Sequence, residues 1–109
     1  MAKQSYVYIL ASKPYGTLYI GVTAHLLARL DQRRSGGVPG FTSRYGIFVL
    51  VRYELYADMP SAIAREMQLK AWRRDWKIAL IRTYNPRWKE LAVGLGLELV
   101  DSSTRHDGS

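Results

Sequence analysis

Apolar and polar positions alternate with a period of two over residues 5–11 (SYVYILA) and again over residues 17–23 (TLYIGVT). Both runs are rich in aromatic and β-branched residues, and this alternation predicts two β-strands. Ser12-Lys13-Pro14-Tyr15-Gly16 between them is a turn signal, so the two runs make a hairpin. Opposed residues of an antiparallel pair point the same way. One apolar face therefore requires Val7 to oppose a residue such as Ile20 and Ile9 one such as Leu18. The same parity brings Tyr8 and Tyr19 together on the other face.

After the hairpin the period lengthens. Leu26, Leu27 and Leu30 recur at helical spacing within residues 24–34, with Thr23 available as an N-cap and Ser35-Gly36-Gly37 as a stop. Residues 35–44 (SGGVPGFTSR) hold three glycines and a proline and read as a loop. Residues 46–55 (GIFVLVRYEL) are a β-branched run, predicting a third strand buried in its first half. From Asp58 the pattern is helical, with Asp58 as cap, Pro60 in the first turn, and Ile63, Met67 and Leu69 through Trp72 at helical intervals. Trp72-Arg73-Arg74-Asp75-Trp76 marks a break before a second helix reaching about Thr83, which Asn85-Pro86 ends because the residue before proline avoids the helical region. Residues 87–97 add one or two turns. The expected fold class is α+β, a small central antiparallel three-stranded sheet flanked by helices. One domain spans residues 1–100, and a polar tail, 101–109, is expected to be disordered.

Composition narrows the function. The chain has 109 residues, enough for one domain. With 48% hydrophobic residues it has the material for a core without staples. Cysteine is absent, which excludes disulfides and thiol catalysis, and His25 and His106 lie far apart, so no metal cluster is legible. The longest uncharged apolar runs, 46–51 and 91–97, are too short for a membrane span, and the first five residues open no signal peptide. A cytoplasmic protein without membrane association is expected. Sixteen Lys and Arg against nine Asp and Glu give +7, and the tail is net negative, so residues 1–100 hold +8. Eleven of the sixteen cations are arginine, which favours bidentate contacts to phosphate. Nucleic acid is the leading partner on composition.

Three residue types could carry chemistry. A phenol can move a proton or position a water when its neighbours shift its basicity, so the Tyr8 and Tyr19 pair is a candidate, although taken alone surface or half-buried tyrosine packing is the commoner reason for such a pair. Arg29 flanks the apolar stripe of the first helix, where a guanidinium can bind a phosphate oxygen or simply be solvated. Glu66 shares its helix face with Ala62, Ile63 and Leu69 at the edge of a basic patch. One carboxylate can hold a magnesium ion whose other sites are water and substrate phosphate. An i, i+4 ion pair with Lys70, worth about 0.2 to 0.5 kcal/mol, is the alternative.

Taken together, Tyr6-Val7-Tyr8, Tyr19-Ile20-Gly21, Arg29, Ala64-Arg65-Glu66 and Asn85-Pro86-Arg87-Trp88 resemble the GIY-YIG nuclease superfamily. The likeness is to its small single-domain bacterial members with a UvrC-type endonuclease fold, and it covers about residues 5–92. It implies hydrolysis of phosphodiester bonds in nucleic acid, DNA in the first instance, through one bound Mg2+ or Mn2+. Tyr8 and Tyr19 take the places of the two motif tyrosines, with Tyr8 as base towards water. A phenol is a poor base near neutrality, so this role requires positive charge from Arg29 or the metal. Arg29 corresponds to the phosphate-contacting arginine, Glu66 to the metal-binding glutamate, and Asn85 to the asparagine that orders the site. Arg33, Arg34, Arg44, Arg73, Arg74 and Lys77 would grip backbone phosphates. Arg33 stands where many relatives carry a histidine of the site. That departure leaves open a basic nucleic-acid-binding module that keeps the nuclease fold with little or no activity, and the charge alone leaves open a small structural protein of ribosomes or other assemblies. The oligomeric state is not legible, and a monomer is compatible with the pattern.

Overall fold

A computed structural model describes residues 4–35 and 46–95. Three strands form an antiparallel sheet in the order β2-β1-β3, with β1 (Ser5–Ala11) central, β2 (Leu18–Thr23) at one edge and β3 (Val49–Tyr56) at the other. Helix α1 (Leu26–Ser35) follows the hairpin, while α2 (Met59–Ala71), α3 (Arg74–Tyr84) and a short 3-10 turn at Leu91–Leu95 follow β3. The expected α+β class and element order hold. The tail 101–109 and all of the loop expected over 35–44 except Ser35, which closes α1, lie outside the described residues.

The hairpin register differs from expectation by two residues. Val7 opposes Val22 in place of Ile20, and Ile9 opposes Ile20 in place of Leu18. The turn is the reason. Gly16 N donates to Lys13 O at 2.9 Å, closing a four-residue turn with Pro14 and Tyr15 at its centre, and Tyr15 has φ 60°. Proline followed by a positive φ is the type II pattern, which pulls the turn centre one residue later than the sequence suggests. Because the shift is even, each side chain keeps the face assigned to it.

The two sheet faces bury separate clusters. Val7, Ile9, Ala11, Ile20 and Val51 pack under Ala62 and Leu69 of α2, Ile81 of α3 and Trp88. On the opposite face, Tyr8, Leu10 and Leu50 pack under Leu26 and Leu30 of α1, with Ile47 and Ala92. Each buried aliphatic side chain contributes about 1.5 to 3 kcal/mol, so both helix layers are fixed by apolar burial.

Local chemistry sets the helix ends. Asp58 Oδ1 accepts from Ser61 N at 2.8 Å, and Pro60 occupies the first turn of α2. Thr23 is not the N-cap of α1. Its hydroxyl accepts from His25 N at 3.0 Å, closing a turn ahead of the helix, and His25 O accepts the first helical bond from Arg29 N. Strand β3 starts at Val49, three residues later than the apolar run, because Gly46 turns the chain with φ 64° and Ile47 dives into the core.

A bulge interrupts β3. Ile9 pairs with Arg52 but Leu10 pairs with Leu50, leaving Val51 as the extra residue. Val51 O is taken up from outside the sheet by Asn85 Nδ2 at 3.0 Å, so the residue that ends α3 also satisfies the bulge. Glu90 Oε1 adds a second stitch, accepting from Leu50 N at 2.9 Å and from Ala92 N at 3.0 Å. Arg74 donates to Tyr15 O and Gly16 O, both at 2.7 Å, and the Tyr15 ring lies 4.9 Å from that of Trp88. These contacts tie the hairpin turn to the layer formed by α3 and the segment after it.

Candidate active site

Tyr8 and Tyr19 share the α1 face of the hairpin, their ring centroids 6.3 Å apart and their planes tilted by 39°. Tyr8 is opposite Gly21, and its ring lies across that glycine. A Cβ at position 21 would meet the Tyr8 hydroxyl and stand 2.5 Å from Cζ. Since β2 is an edge strand, the missing side chain at Gly21 lets the Tyr8 phenol extend from the central strand over the sheet edge. Tyr8 is fully buried, whereas Tyr19 is half-buried and keeps surface for solvent.

Arg29 belongs to the same layer. It is half-buried between Leu26 and Leu30, the residues that seat α1 on the sheet, and among the described residues no acid pairs with its guanidinium. A half-desolvated guanidinium without an internal carboxylate is suited to an external anion.

Glu66 comes from the other layer. It stands four residues after Ala62 and three before Leu69, both fully buried, so the helix period turns it toward the sheet, and its side chain is only 16% exposed. Lys70 Nζ lies 3.2 Å from Glu66 Oε2, the i, i+4 pair foreseen from the sequence. That lysine is more than half exposed, and such pairs contribute little. Helix α2 packs over β1 and β2, the half of the sheet whose opposite face carries the tyrosines.

Asn85 spends its whole carboxamide inside the protein. Nδ2 donates to Val51 O and Lys89 O, and Oδ1 accepts from Lys89 N, all at 3.0 Å. Its geometry is that of a positioning residue for the α3 terminus. The structure thus brings Tyr8, Tyr19 and Arg29 into one layer and sets Glu66 and Asn85 in the layer behind the sheet.

The basic residues separate as well. Arg44 and the side chains of Arg33 and Arg34 lie outside the described residues. Arg73 pairs with Asp75 at 2.8 Å and lies 5.2 Å over the Trp76 ring, Arg74 holds the hairpin turn, and Lys77 is half-buried.

Sequence reasoning missed one polar cluster. Glu54 accepts from Arg65 Nε at 2.9 Å, from Arg52 through Nε at 2.9 Å and a terminal nitrogen at 2.7 Å, and from Tyr56 Oη at 2.7 Å. Burial pushes the Glu54 carboxyl up, but hydrogen bonds from Arg65, Tyr56 and Arg52 outweigh it and hold the pKa at about 2. The signal was legible, since Arg52, Glu54 and Tyr56 alternate along β3 and therefore share a face. Arg65 carries this cluster onto α2, one residue before Glu66, and its guanidinium also lies 5.1 Å over the Trp72 ring.

As to metal, no group of three or more His, Asp or Glu side chains converges among the described residues. The donor set that exists is the single shielded carboxylate of Glu66. It fits a hard cation such as Mg2+, which keeps several waters and takes its remaining ligands from substrate phosphate.

Residues 4–85 match the family of GIY-YIG catalytic domains. A curated relative, UPF0213 protein SH2523 of Staphylococcus haemolyticus, is 33% identical over 81 residues, covering 74% of this chain and 96% of the relative. The solution structure of UPF0213 protein BH0048 from Bacillus halodurans superposes with a TM-score of 0.52 at 26% identity, covering 87% of this chain and 99% of the other.

Proposed function

The chain belongs to the GIY-YIG family, a nuclease-like module, and we propose that it is a divalent-metal-dependent endonuclease that hydrolyses phosphodiester bonds in nucleic acid, with DNA as the first substrate to test. The observation that carries this reading is the tyrosine pair built over Gly21, with a half-buried Arg29 in the same layer that no acid among the described residues pairs.

The pair polarises the attacking water. Tyr19 has the solvent-accessible surface, and Tyr8, enclosed against Gly21, completes the pair in a fixed orientation. The proton leaves the water toward this pair as the oxygen attacks phosphorus, and because Tyr8 is fully buried it is Tyr19, with surface for solvent, that meets the water. Arg29 binds a non-bridging phosphate oxygen and stabilises the charge that grows there in the transition state. Glu66, in the layer behind the sheet, would hold the cation in place of its Lys70 contact. When bound, a divalent metal supplies neutralisation of a phosphate oxygen and of the leaving oxyanion. Asn85 keeps the α3 terminus and the bulge of β3 in place, and through them the layer that carries Glu66.

The test is a metal-dependence assay on duplex, single-stranded, nicked and branched DNA and RNA, with Glu66→Ala as control. Nicking that requires Mg2+ or Mn2+ and is lost in the variant supports the reading. Salt-sensitive binding with no metal-dependent cleavage of any member of the panel overturns it in favour of a binding module that keeps the fold, the outcome for which Arg33 in the histidine position gives a reason.

A further inference from the structure

The outer stripe of α3 is apolar and largely exposed at Trp76, Ala79 and Thr83, while Leu80 and Trp72 lean on the core and the Arg73 guanidinium lies over one side of the Trp76 ring. Trp76, Ala79, Leu80 and Thr83 recur at helical spacing, and with Trp72 at the end of α2 they line a groove of about 370 Å³. That volume lies at the small end of ligand pockets, about 300 to 1,000 Å³. Trp76 is 50% exposed, and the Trp72 ring meets it edge-on at 5.9 Å and 84°, fixing its plane. The buried Ile81 lies on the far side of the helix, so the exposed part of the stripe, Trp76, Ala79 and Thr83, faces away from the core.

Charge decides what can lie there. Residues 70–82 carry Lys70, Arg73, Arg74, Lys77 and Arg82 against Asp75 alone. On a helical wheel at about 100° per residue, Lys77 flanks the stripe beside Leu80, and Arg82 flanks it on the Ala79 side next to Asp75, whose charge is matched by Arg73. A second copy of this chain would bring two such cationic faces together, which opposes self-association. An occupant needs a flat apolar body to cover the indole and negative charge to meet the rim. A nucleic-acid strand with an unstacked base has both: the base face stacks on the aromatic ring and the flanking phosphates meet Lys77 and Arg82.

We infer that the Trp72–Trp76 groove is a stacking site for an unpaired base, so that the preferred substrate contains a single-stranded nucleotide. This rests on the nucleic-acid reading above and narrows its substrate class. Stacking needs the ring and is insensitive to salt, whereas phosphate contacts are salt-dependent, so the two contributions separate experimentally.

The experiment measures fluorescence anisotropy of a labelled oligothymidylate and of a blunt duplex of equal length across a salt series, using wild type, Trp76→Ala, Trp76→Phe and Lys77→Ala. Wild type is expected to bind the single strand more tightly. Trp76→Ala should weaken single-strand binding about five- to a hundredfold at an unchanged salt slope and leave duplex binding nearly intact. Trp76→Phe should retain most of the affinity, and Lys77→Ala should lower the slope by about 0.7. Equal effects of Trp76→Ala on both ligands, or none on either, overturn the stacking site alone. Failure of wild type to bind either ligand at low salt overturns the nucleic-acid reading together with it. A wild-type dimer in sedimentation that Trp76→Ala converts to monomer assigns the groove to a second copy and likewise overturns the inference.

Discussion

The phenol of Tyr8 lies across Gly21 on the neighbouring strand, and a methyl group at position 21 would overlap its hydroxyl end. Tyr8 is fully buried, so the ring cannot swing away without opening the cluster beneath α1. Gly21→Ala is therefore expected to destabilise the fold by about 1 to 3 kcal/mol through overpacking. For a domain of this size that corresponds to a fall in Tm of roughly 4 °C or more. The variant should also lose nuclease activity at temperatures where it is folded. Thermal unfolding by circular dichroism and a nicking assay check both parts; an unchanged Tm would mean that the two residues are not packed together.

Glu66→Gln is expected to keep the fold and nucleic-acid binding while abolishing metal-dependent cleavage. The amide conserves the shape between Ala62 and Leu69 and removes the ligand charge. Only the Lys70 pair is lost from stability, about 0.5 kcal/mol or less. Lys70→Ala is the companion variant, expected to cleave as well as wild type. Cleavage by Glu66→Gln at the wild-type rate would reduce the glutamate to the partner of Lys70.

The faces of the hairpin, the break between α2 and α3 and the pairing of Tyr8 with Tyr19 were legible because each depends on a local period: two for strands, about 3.6 for helices. The register was not, because it depended on Tyr15 adopting a positive φ that no pattern of apolar positions encodes. The bulge at Val51 was hidden for a similar reason, and with it the work of Asn85. The family motif drew attention to that asparagine, but its partners, Val51 O and the Lys89 backbone, are contacts between segments brought together only by the fold. The Glu54 cluster was half legible: the alternation of Arg52, Glu54 and Tyr56 was in the sequence, while the arrival of Arg65 from α2 required the packing of that helix on the sheet.

Acid should loosen the molecule through Glu54. Its carboxyl titrates at about 2 in the folded protein against 4.5 ordinarily, because the hydrogen bonds of Arg65, Tyr56 and Arg52 overcome burial. A depressed pKa contributes stability that is complete above about 4.5 and is lost as the pH falls from there toward 2. Allowing for solvent screening of the exposed side of the cluster, the contribution is about 2 kcal/mol. Urea unfolding midpoints measured between pH 6 and pH 2.5 should fall for wild type and fall less for Glu54→Gln. Parallel pH profiles for the two proteins would remove Glu54 from the account of acid stability.

Asn85 invites a test that separates architecture from chemistry. Asn85→Ala leaves Val51 O and the Lys89 N–H without their partners, and an unsatisfied buried group costs about 1 to 3 kcal/mol. Asn85→Asp is worse in kind, since it replaces the donor between Val51 O and Lys89 O with a carboxylate oxygen facing two carbonyls. Both variants should melt at least about 10 °C below wild type, with Asp the lower. Cleavage is expected to return toward the wild-type rate when each is assayed well below its own transition, because the carboxamide holds the α3 terminus and the bulge of β3 and does not touch substrate. Cleavage that stays more than a hundredfold down in a fully folded Asn85→Ala protein would place the asparagine in the chemistry.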